Sequence, residues 1–549
     1  MSSLILTLRQ RSTPSRRFPV PSLTGQSVLS PRLRLSVDRW WHSPLCQLLF
    51  LLCLGYASAD RLPQPELSLV LALSGVACFL LGLVLGWREG ELRSRRVHAW
   101  TLRLGLSLLL LLGGRMYYQD TLEHQLSTDA LRAPALRGRL VASHDLGNGW
   151  RSYDLSLLET SSVRLCLRHR EIERAVLGDT LHLHGVRWMG VKTLLAQRPR
   201  WGKSLLAGGY TALGSGGQVG VYPVEDQDLL AHPILFARRC QGRLLNQLEG
   251  LELKSTTKAL LGALVLGELP RDELGRELRQ SFVAGGVAHL LAVSGFHLGI
   301  IVALVMGLLR RLPYFRVHLY GRWVVVLLVA WFFTGLTGAS IPTLRASGML
   351  TLYAGARCLG RRPSFPEIIA LPALIQLLLH PMSLWSASFL LTYGAMLGIY
   401  LFFRPLRRSL GLLPSLLARY LWDGLAMTGA VLPFVLPLSL YLFGWVSLAF
   451  PWTTLITLPL ASLLIPLGGM LLLLLPWADS LPSVLFRGLD DLASLLVESV
   501  RWAEGIPFLR LTYELSEVEL LIYFVALLLL LLWSRWREQE KLSLANFRG

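Results

Sequence analysis

Two histidines and a serine lie in a stretch that is otherwise apolar enough for a lipid bilayer. The stretch reads "GGVAHLLAVSGFHLGIIVAL" and contains His289, Ser294 and His297. A serine beside an imidazole can act as a nucleophile with its general base, and two imidazoles can contribute to a metal site. The sequence places no acid to orient either ring and no third metal ligand at useful spacing. We therefore predict neither a metal nor a cofactor.

The glycines of the same stretch bear on how these polar residues are held. Gly295 directly follows Ser294, and Gly285, Gly286 and Gly299 lie on either side of the pair. In one interpretation, the Ser-Gly pair breaks a helix at membrane depth and turns free backbone groups toward a pore. In the other, the histidines are satisfied interior residues and the glycines only allow close helix packing. Both interpretations place the polar side chains inside the protein rather than against lipid.

A further polar position is Arg345, inside the apolar sequence "TGLTGASIPTLRASGM" and flanked by Ser340. An arginine at the centre of a membrane helix costs at least about 2.5–3.5 kcal/mol on insertion scales. It must therefore face a polar cavity, pair with an acid such as Glu367 or Asp423, or meet an anion. A phosphate would suit the forked donors of its guanidinium group. The alternative is that the side chain snorkels to the membrane surface.

Membrane helices must position these side chains. The chain has 549 residues, of which 53% are hydrophobic and 16% are charged, and a soluble protein would carry more charge. Three long segments contain no Asp, Glu, Lys or Arg, namely Trp323–Leu344, Ile368–Phe403 and Gly424–Ala478. Because one crossing needs about 20 apolar residues, the sequence predicts an α-helical polytopic membrane protein.

The basic residues predict which helix ends face the cytoplasm. The formal net charge is +19, and much of it lies in short arginine clusters beside apolar runs, which is typical of cytoplasmic ends. The N-terminus is predicted to be cytoplasmic on the same grounds. The predicted crossings are Leu45–Ala59, Leu67–Trp87, Trp100–Tyr118, the stretch around His289 to His297, and segments near 321–339, 341–358, 366–380, 384–403, 420–443 and 520–533.

Two further segments carry a specific prediction. Val446–Pro476 must start and finish on the outer side, and it carries Pro459 and Pro466. We interpret it as a broken or re-entrant hairpin, which is tolerated at membrane depth only inside protein or beside a water-filled cavity. Near the N-terminus, residues 57–59 (Ala-Ser-Ala) resemble a signal-peptidase site, so the first helix is either cleaved or retained.

The segment from residue 119 to residue 235 has a different pattern. Apolar residues alternate in "GRLVAS", "RSYDLSLLE", "SVRLCLRH" and "DTLHLHGVRWM", and this period of two predicts strands. Several short strands favour a small external barrel or sandwich. Aromatic residues interleaved with arginines fit single-stranded nucleic acid, although they also fit an ordinary barrel core. The candidate DNA-binding residues are Arg137, Arg139, Trp150, Arg151, Arg168, Trp188, Lys192 and Trp201.

The sequence "AHLLAVSGFHLG" is similar to the signature of the ComEC-type competence proteins, the inner-membrane channels that import transforming DNA. The family pattern is close to HLLAVSGLHxG, and Phe296 stands where Leu is usual. "SIPTLRASGM" resembles the family's S-x-x-x-x-R-A-x-x-M element, with Ser340 and Arg345 matching. "HPMSLWSASFLLTYGAMLGI" resembles its P-x-x-x-x-x-x-G-F-Q-L-S-F-x-A element, with Phe389 matching. The β-rich segment resembles the family's OB-like domain, so the resemblance covers about residues 45–535.

The resemblance implies a channel for single-stranded transforming DNA that is not itself an enzyme. Ser388, Leu390 and Thr392 depart from the family pattern, which often has Gly, Gln and Ser at these positions. The histidine/aspartate motif of the C-terminal metallo-β-lactamase-like domain of many members is missing from the sequence, so nuclease activity is not carried over. The implied partners are single-stranded DNA, membrane lipid, a DNA receptor, an ATPase or helicase of the competence machinery and a separate nuclease. The resemblance leaves open whether the protein forms a homo-oligomer.

The expected organisation has six parts. They are a basic disordered tail (1–43), N-terminal transmembrane helices (44–118), an external OB-like β domain (119–235), amphipathic surface helices (236–282), a channel domain with broken or re-entrant helices (283–535) and a cytoplasmic tail (536–549). The candidate pore residues are His289, Ser294, Gly295, His297, Ser340, Arg345 and Phe389. Two other functions stay open, namely a transporter or scrambler of an anionic small molecule or lipid, and a membrane-embedded serine hydrolase that uses Ser294.

Overall fold

The structure is a computed structural model of the chain. It describes residues 43–61, 74, 76–77, 92–126, 131, 135–147, 150–158, 164–170, 172, 178–197, 199–222, 233–270, 272–409, 415–475, 482–504 and 510–547. The predicted basic tail lies outside the described residues except for Ser43. Of the predicted crossing Leu67–Trp87, the structure describes only residues 74, 76 and 77, which are helical.

The N-terminal part is a pair of closely packed helices, α1 (Pro44–Arg61) and α2 (Leu92–Leu126). They approach closely because Gly55 has no side chain. A Cβ atom at this position would lie 2.6 Å from the carbonyl oxygen of Leu111. The buried Arg115 donates from Nη1 to the carbonyl of Ser58 at 2.8 Å. Residues 57–59 therefore lie inside α1, and α2 extends beyond both ends of the predicted crossing Trp100–Tyr118.

The β region is one mixed sheet of seven strands in the order β5-β6-β3-β2-β1-β4-β7. The strands are β1 (Ala135–Gly147), β2 (Trp150–Leu157), β3 (Arg164–Arg170), β4 (Thr180–His184), β5 (Arg187–Gly190), β6 (Tyr210–Ser215) and β7 (Gln218–Tyr222). Strand β4 pairs with β1, whereas β5 pairs with β6 on the other side of the sheet. Only Gly185 and Val186 separate β4 from β5, and the positive φ of Gly185 (64°) allows this turn. This two-residue connection therefore links two strands that lie near opposite edges of the sheet.

Two short helices connect the β region to the membrane helices. They are α3 (Val191–Gln197) and α4 (Pro199–Ala207). Val191 and Leu206 are buried in one apolar cluster with Tyr56 of α1 and Tyr118 of α2. In addition, Lys203 lies 5.0 Å from the ring centroid of Trp385 in the channel region. The β region is therefore packed directly against the helical part.

The segment predicted as amphipathic surface helices is built differently in its middle. It comprises α5 (Pro233–Glu249), α6 (Ser255–Leu261), which continues as a π-helix over Gly262–Leu266, and α7 (Glu273–Ala284). Leu260, Leu261 and Leu264 are completely buried in the largest apolar cluster. The prediction of a surface helix is therefore wrong for residues 255–266, because their apolar side chains pack on all sides. Helix α7 keeps an amphipathic pattern, with Leu278 and Phe282 buried and Glu273 exposed.

Seven helices form the part that contains the signature and the two further family elements. They are α8 (Ala288–Leu291), α9 (Gly295–Arg311), α10 (Pro313–Val317), α11 (Leu319–Leu336), α12 (Ile341–Cys358), α13 (Phe365–Leu379) and α14 (Ala387–Gly398). A 3-10 turn, Pro381–Trp385, precedes α14, and a π-helix, Ile399–Phe403, joins it to α15 (Arg404–Ser409). Helices α11 and α12 form an antiparallel pair, and a 2.6 Å hydrogen bond joins the hydroxyls of Thr334 and Ser347.

The C-terminal part corrects the predicted broken hairpin at Val446–Pro476. Its elements are α16 (Leu416–Phe443), β8 (Trp445–Ser447), α17 (Phe450–Leu473), α18 (Ser483–Glu504), β9 (Arg510–Thr512) and α19 (Glu517–Phe547). Helix α17 is continuous over 24 residues although it contains Pro459 and Pro466, so the prediction of a break there is wrong. Apolar packing against α6 and α18 supports this helix through both prolines. Strands β8 and β9 pair with each other. The chain therefore returns to its starting point after the two helices α17 and α18.

Within the described residues, five helices are long and apolar enough to cross a membrane. They are Leu319–Leu336, Ala387–Ser409, Ala418–Phe443, Phe450–Leu473 and Glu517–Ser534. The last one has none of its window buried inside the protein, which suits a helix surrounded by lipid. The predicted class, a polytopic α-helical membrane protein with a separate β region, is confirmed.

Candidate functional site

The signature stretch contains the predicted helix break. Helix α8 ends at Leu291, and α9 begins at Gly295. Ser294 between them has extended backbone dihedrals (φ −126°, ψ 176°) and is the N-cap of α9. Its Oγ accepts a hydrogen bond from the backbone N–H of Phe296 at 3.3 Å. Serine is a preferred N-cap residue, so the sequence itself favours a new helix start at this point.

His297 completes this cap. Its Nδ1 accepts a hydrogen bond from the backbone N–H of Ser294 at 3.2 Å and lies 3.0 Å from the Ser294 Oγ. The arrangement is a capping box in which a histidine occupies the position usually held by Glu or Gln. His297 is completely buried. The hydrogen bonds to Ser294 therefore fix the ring at the helix break.

The neighbours of the signature come from two other parts of the chain, helices α12 and α17. A Cβ atom at Gly295 would lie 3.3 Å from the Cβ of Ala346, which follows Arg345 on α12. Gly286 has a positive φ (76°) and touches Phe450 at the start of α17. The His289 ring lies 6.1 Å from the Phe450 ring, edge to face. The glycines thus allow close packing and the Ser-Gly pair breaks the helix, whereas free backbone groups that face a pore stay a prediction.

The Ser294–His297 contact does not by itself make a hydrolytic site. A serine nucleophile needs a base whose second nitrogen is oriented by a third group. The Nε2 of His297 is buried and has no hydrogen-bond partner among the described residues. Also within the described residues, no group of three or more His, Cys, Asp or Glu side chains is arranged to hold a metal ion.

Arg345 is buried near the start of α12, with 6% of its surface exposed. Its Nη2 donates to the carbonyl oxygen of Ser388 (2.9 Å), to the Ser388 hydroxyl (2.7 Å) and to the Thr392 hydroxyl (2.8 Å). All three acceptors belong to α14. The side chain is therefore fixed inside the protein, and the snorkelling alternative is wrong.

The two acids considered as partners of Arg345 are used elsewhere. The Glu367 carboxylate accepts a hydrogen bond from the backbone N–H of Ser364 at 2.8 Å and caps α13. Asp423 forms a 2.7 Å ion pair with Arg407. Nε and Nη1 of Arg345 are buried without a hydrogen-bond partner among the described residues. A buried cation with neutral partners and free N–H groups has the chemistry of an anion site.

The contacts of Arg345 explain two departures from the family pattern. Thr392 stands where Ser is frequent, and its hydroxyl keeps a hydroxyl contact to the guanidinium. Ser388 stands where Gly is frequent, and it adds a second hydroxyl to the same nitrogen. Sequence reasoning missed both residues as partners of Arg345, because each was considered only as a mismatch.

Two other candidate pore residues have structural contacts. The Ser340 hydroxyl lies 2.9 Å from the Thr343 hydroxyl in the first turn of α12. Phe389 is buried, with 5% of its surface exposed, in an apolar cluster that includes Leu377 and Met382. These contacts favour a packing role for Phe389. The pore roles of both residues remain predictions.

The strand register divides the candidate DNA-binding residues of the β region. Residues directly opposite each other on paired strands point to the same face. Ser152 pairs with Arg168, and Trp150 pairs with Arg170. On the other side, Arg137 pairs with His182 and Arg139 pairs with Ser156. The register puts Arg137, Arg139, Trp150 and Arg168 on one face, here called the outer β face, together with Arg164, Arg170 and His182.

The other four candidates lie elsewhere. Arg151 pairs with His169 and points to the opposite face of the sheet. The Trp188 ring packs against Gly214, where an added Cβ would approach it to 2.5 Å. Lys192 and Trp201 belong to α3 and α4 rather than to strands. Sequence reasoning overlooked Arg164, Arg170 and His182, although the period of two would have assigned them to the outer β face.

Among the described residues, the outer β face contains one acidic residue, Asp154, and its carboxylate is already engaged. The Tyr210 hydroxyl donates to the Asp154 carboxylate at 2.6 Å. Burial, together with this hydrogen bond, raises the pKa of Tyr210 above its usual range. Burial also raises the pKa of the neighbouring Cys166 to about 11. Both groups are therefore protonated at neutral pH, and arginine charge dominates the rest of this face.

Comparison with known proteins supports the signature. The family described as "Competence protein" matches residues 264–538, half of the 549-residue chain. Recombination protein 2 of Haemophilus influenzae is 30% identical over 230 residues, which are 40% of this chain and 28% of that protein. ComE operon protein 3 of Bacillus subtilis is 28% identical over 217 residues, or 39% of this chain and 25% of that protein.

A third relative is the uncharacterized protein YcaI of Escherichia coli, 27% identical over 231 residues, which are 39% of this chain and 30% of that protein. The chain thus spans less than a third of the length of these relatives. No solved protein structure matches the chain. The matched region contains the signature, Arg345 and the α14 residues that bind it. On this evidence the chain belongs to the competence protein family.

Proposed function

We propose that this protein forms a channel that imports single-stranded transforming DNA across the inner membrane during natural competence. The observation that carries the proposal is Arg345, a buried arginine in the competence region with hydroxyl and carbonyl partners but no carboxylate within salt-bridge distance among the described residues. A cation held in this way inside a membrane protein is suited to an anion that passes or binds there. Every nucleotide of a DNA strand supplies one such charge.

The β region would receive the DNA on the outside. The strand order, with β4 and β5 joining both sides of the sheet, supports the OB-like interpretation. The outer β face combines several arginines with Trp150, whose side chain is 43% exposed, and aromatic stacking beside basic groups binds single strands without sequence preference. The packing of α4 against Trp385 would bring this domain close to the channel entrance.

The proposed topology follows the charge pattern. The N-terminus and the helix ends rich in arginine, such as the C-terminal end of α9 with Arg310 and Arg311, would face the cytoplasm. The β region would then lie outside. The predicted domain boundaries at residues 119, 236 and 283 stay part of this proposal.

We expect the protein to act without enzymatic chemistry of its own. The energy for import would come from a partner ATPase or helicase or from the membrane potential. A DNA receptor and a separate nuclease would supply and trim the strand, and membrane lipid surrounds the helices. A homo-oligomer is compatible with this arrangement.

Uptake of labelled DNA tests the proposal in a competent strain whose own channel gene is deleted. The full chain is expected to restore uptake. Gly295→Leu is expected to abolish it, because the new side chain meets Ala346 at the helix break. Gly307→Leu on the same helix is the matched control, since a Cβ there has nothing within 4 Å. Normal membrane insertion of the wild-type chain without any uptake would overturn the proposal.

A second candidate function is transport or scrambling of an anionic lipid or small molecule, which the buried Arg345 would serve equally well. Binding assays separate the two, because DNA binding falls steeply with salt. If the full chain showed no salt-dependent affinity for oligonucleotides but moved labelled phosphatidylglycerol between leaflets, the second function would replace the first.

The serine hydrolase is the weakest candidate. It is favoured only by the 3.0 Å contact between the Ser294 Oγ and the His297 Nδ1. That contact belongs to a capping box, and no carboxylate among the described residues orients the ring. Labelling by a serine-reactive probe that disappears in Ser294→Ala would support it, whereas an unlabelled wild-type chain would exclude this use of Ser294.

A further inference from the structure

Tyr393 lies beside Arg345 at the same place in the fold. The guanidinium carbon of Arg345 is 5.8 Å from the centroid of the Tyr393 ring. The ring packs against Phe389 at 4.4 Å between centroids, so its position on α14 is fixed. The Tyr393 hydroxyl is buried and has no hydrogen-bond partner among the described residues.

The two residues together leave four unused hydrogen donors in the protein interior. Arg345 contributes one N–H at Nε and two at Nη1, and Tyr393 contributes one O–H. The carbonyl and hydroxyls of Ser388 and Thr392 occupy only Nη2. Buried donors without acceptors are unfavourable, and a native protein that keeps several of them at one place has a reason to do so.

We propose that Arg345 and Tyr393 form a binding site for a single phosphodiester group. A phosphate offers several oxygens that accept hydrogen bonds at once, and it matches the planar guanidinium group better than any neutral ligand. The tyrosine adds a neutral donor, which binds an anion without adding a second buried charge. Ser388 and Thr392 are positioning residues that hold the guanidinium on α14.

The site contacts phosphate only and reads no base, so binding would not depend on DNA sequence. The assignment of the phosphodiester to DNA rests on the proposed function. A lipid headgroup carries the same chemistry, and the experiment separates these two sources.

The test measures the affinity of the full chain, in phosphatidylcholine nanodiscs, for a short fluorescent oligothymidylate. Each variant is made in a parent chain whose outer β face is made less basic by Arg137→Gln, Arg139→Gln and Arg168→Gln, so that the Arg345–Tyr393 site contributes more of the signal. The variants are Arg345→Gln and Tyr393→Phe. Tyr523→Phe is the matched control, since its hydroxyl already donates to the carbonyl of Pro433 at 3.0 Å. An oligothymidylate with an uncharged methylphosphonate backbone is the second probe.

We expect Arg345→Gln to weaken oligothymidylate binding at least about tenfold and Tyr393→Phe about threefold to tenfold, in line with the loss of charge-assisted and neutral hydrogen bonds. Tyr523→Phe should bind as the parent does, and none of the variants should change binding of the uncharged probe. Tyr393→Phe removes one buried oxygen and keeps the ring, so it tests the site even where Arg345→Gln fails to fold.

Two results would overturn parts of the inference in distinguishable ways. If the parent chain binds oligothymidylate and both variants bind it equally well, the Arg345–Tyr393 site is wrong and the DNA channel stands. If neither the wild-type chain nor the parent binds oligothymidylate, while binding of phosphatidylglycerol added to the nanodiscs depends on both residues, the phosphate site stands. In that case its assignment to DNA and the proposed function are overturned.

Discussion

Arginine occurs in two contrasting settings in this protein. Arg345 is 6% exposed, is bound through Nη2 to α14 and has its other N–H groups buried. The arginines of the outer β face, such as Arg137 and Arg168, are exposed to solvent on paired strands. The same side chain is thus fixed and desolvated in one region and hydrated in the other.

The difference teaches what each region can contribute to DNA handling. Exposed arginines attract phosphates over a distance, and salt screens this attraction. Such contacts are individually weak, so several must act together. A buried arginine with oriented donors makes short-range contacts in a medium of low dielectric, where each contact is stronger and less sensitive to salt. In the proposed function, the β region would capture DNA, and the Arg345 site would make a single contact inside the channel.

The largest effect is expected from Arg345→Leu. This change removes the cation and leaves the Ser388 and Thr392 hydroxyls without their partner, and each buried polar group left unsatisfied costs about 1–3 kcal/mol. We expect DNA uptake to fall at least about 100-fold, a factor that corresponds to about 2.8 kcal/mol. Arg345→Lys keeps the charge and should retain part of the uptake. Unchanged uptake by Arg345→Leu at normal membrane expression would remove the buried site from the mechanism.

The next effect concerns the contact between Arg345 and Thr392. Thr392→Val keeps the shape of the side chain and removes the hydroxyl that accepts from Nη2 at 2.8 Å. We expect a loss of about 1.5–3 kcal/mol, the usual range for a hydrogen bond to a charged group, measured by thermal unfolding in detergent. Thr392→Ser is the control, because it retains the hydroxyl and should stay close to the wild type. Destabilisation by Thr392→Ser together with wild-type stability of Thr392→Val would mean that the methyl group, and not the hydroxyl, matters.

The third prediction concerns the outer β face. Replacing Arg137, Arg139 and Arg168 with Gln removes three candidate phosphate contacts. For single-stranded DNA each contact adds about 0.7 to the slope of log affinity against log salt, so the slope should decrease by about 2. Oligonucleotide binding by the full chain at several salt concentrations measures it. An unchanged slope would show that these arginines do not contact DNA. The proposed division of roles between the exposed arginines and the buried Arg345 would then be wrong.

The smallest effect is expected at Arg151, which points to the opposite face of the same sheet. Arg151→Gln should change oligonucleotide affinity less than about twofold, whereas Arg168→Gln should lower it more, since it removes one candidate phosphate contact. The two variants carry the same chemical change on neighbouring strands. A larger effect at Arg151 would place the binding surface on the other face.

The sequence predicted the local features of the candidate site well. Serine followed by glycine in an apolar run indicated a helix break, and Ser294 is the N-cap of α9. Hydropathy identified four of the five candidate spanning helices among the described residues, because a run of apolar residues needs no partner to be recognised. The period of two identified the β region, and it would also have found the whole outer β face if it had been applied to every strand.

Features that depend on distant contacts were predicted less well. The prolines of α17 suggested a break, but packing against α6 and α18 keeps that helix continuous. The leucines of α6 suggested one face of a surface helix, but neighbouring helices cover them on all sides. The candidate acids for Arg345 were chosen by sequence proximity, whereas its partners Ser388 and Thr392 lie 43 and 47 residues away.

The sequence by itself therefore determined the membrane class, the broken helix of the signature, the presence of the β region and the family. These depend on hydropathy, capping and strand period, which are properties of neighbouring residues. Only the tertiary structure decided that Arg345 is bound by α14 and that Tyr393 lies beside it. These depend on which helices and strands meet, and the packing of the whole chain sets that choice.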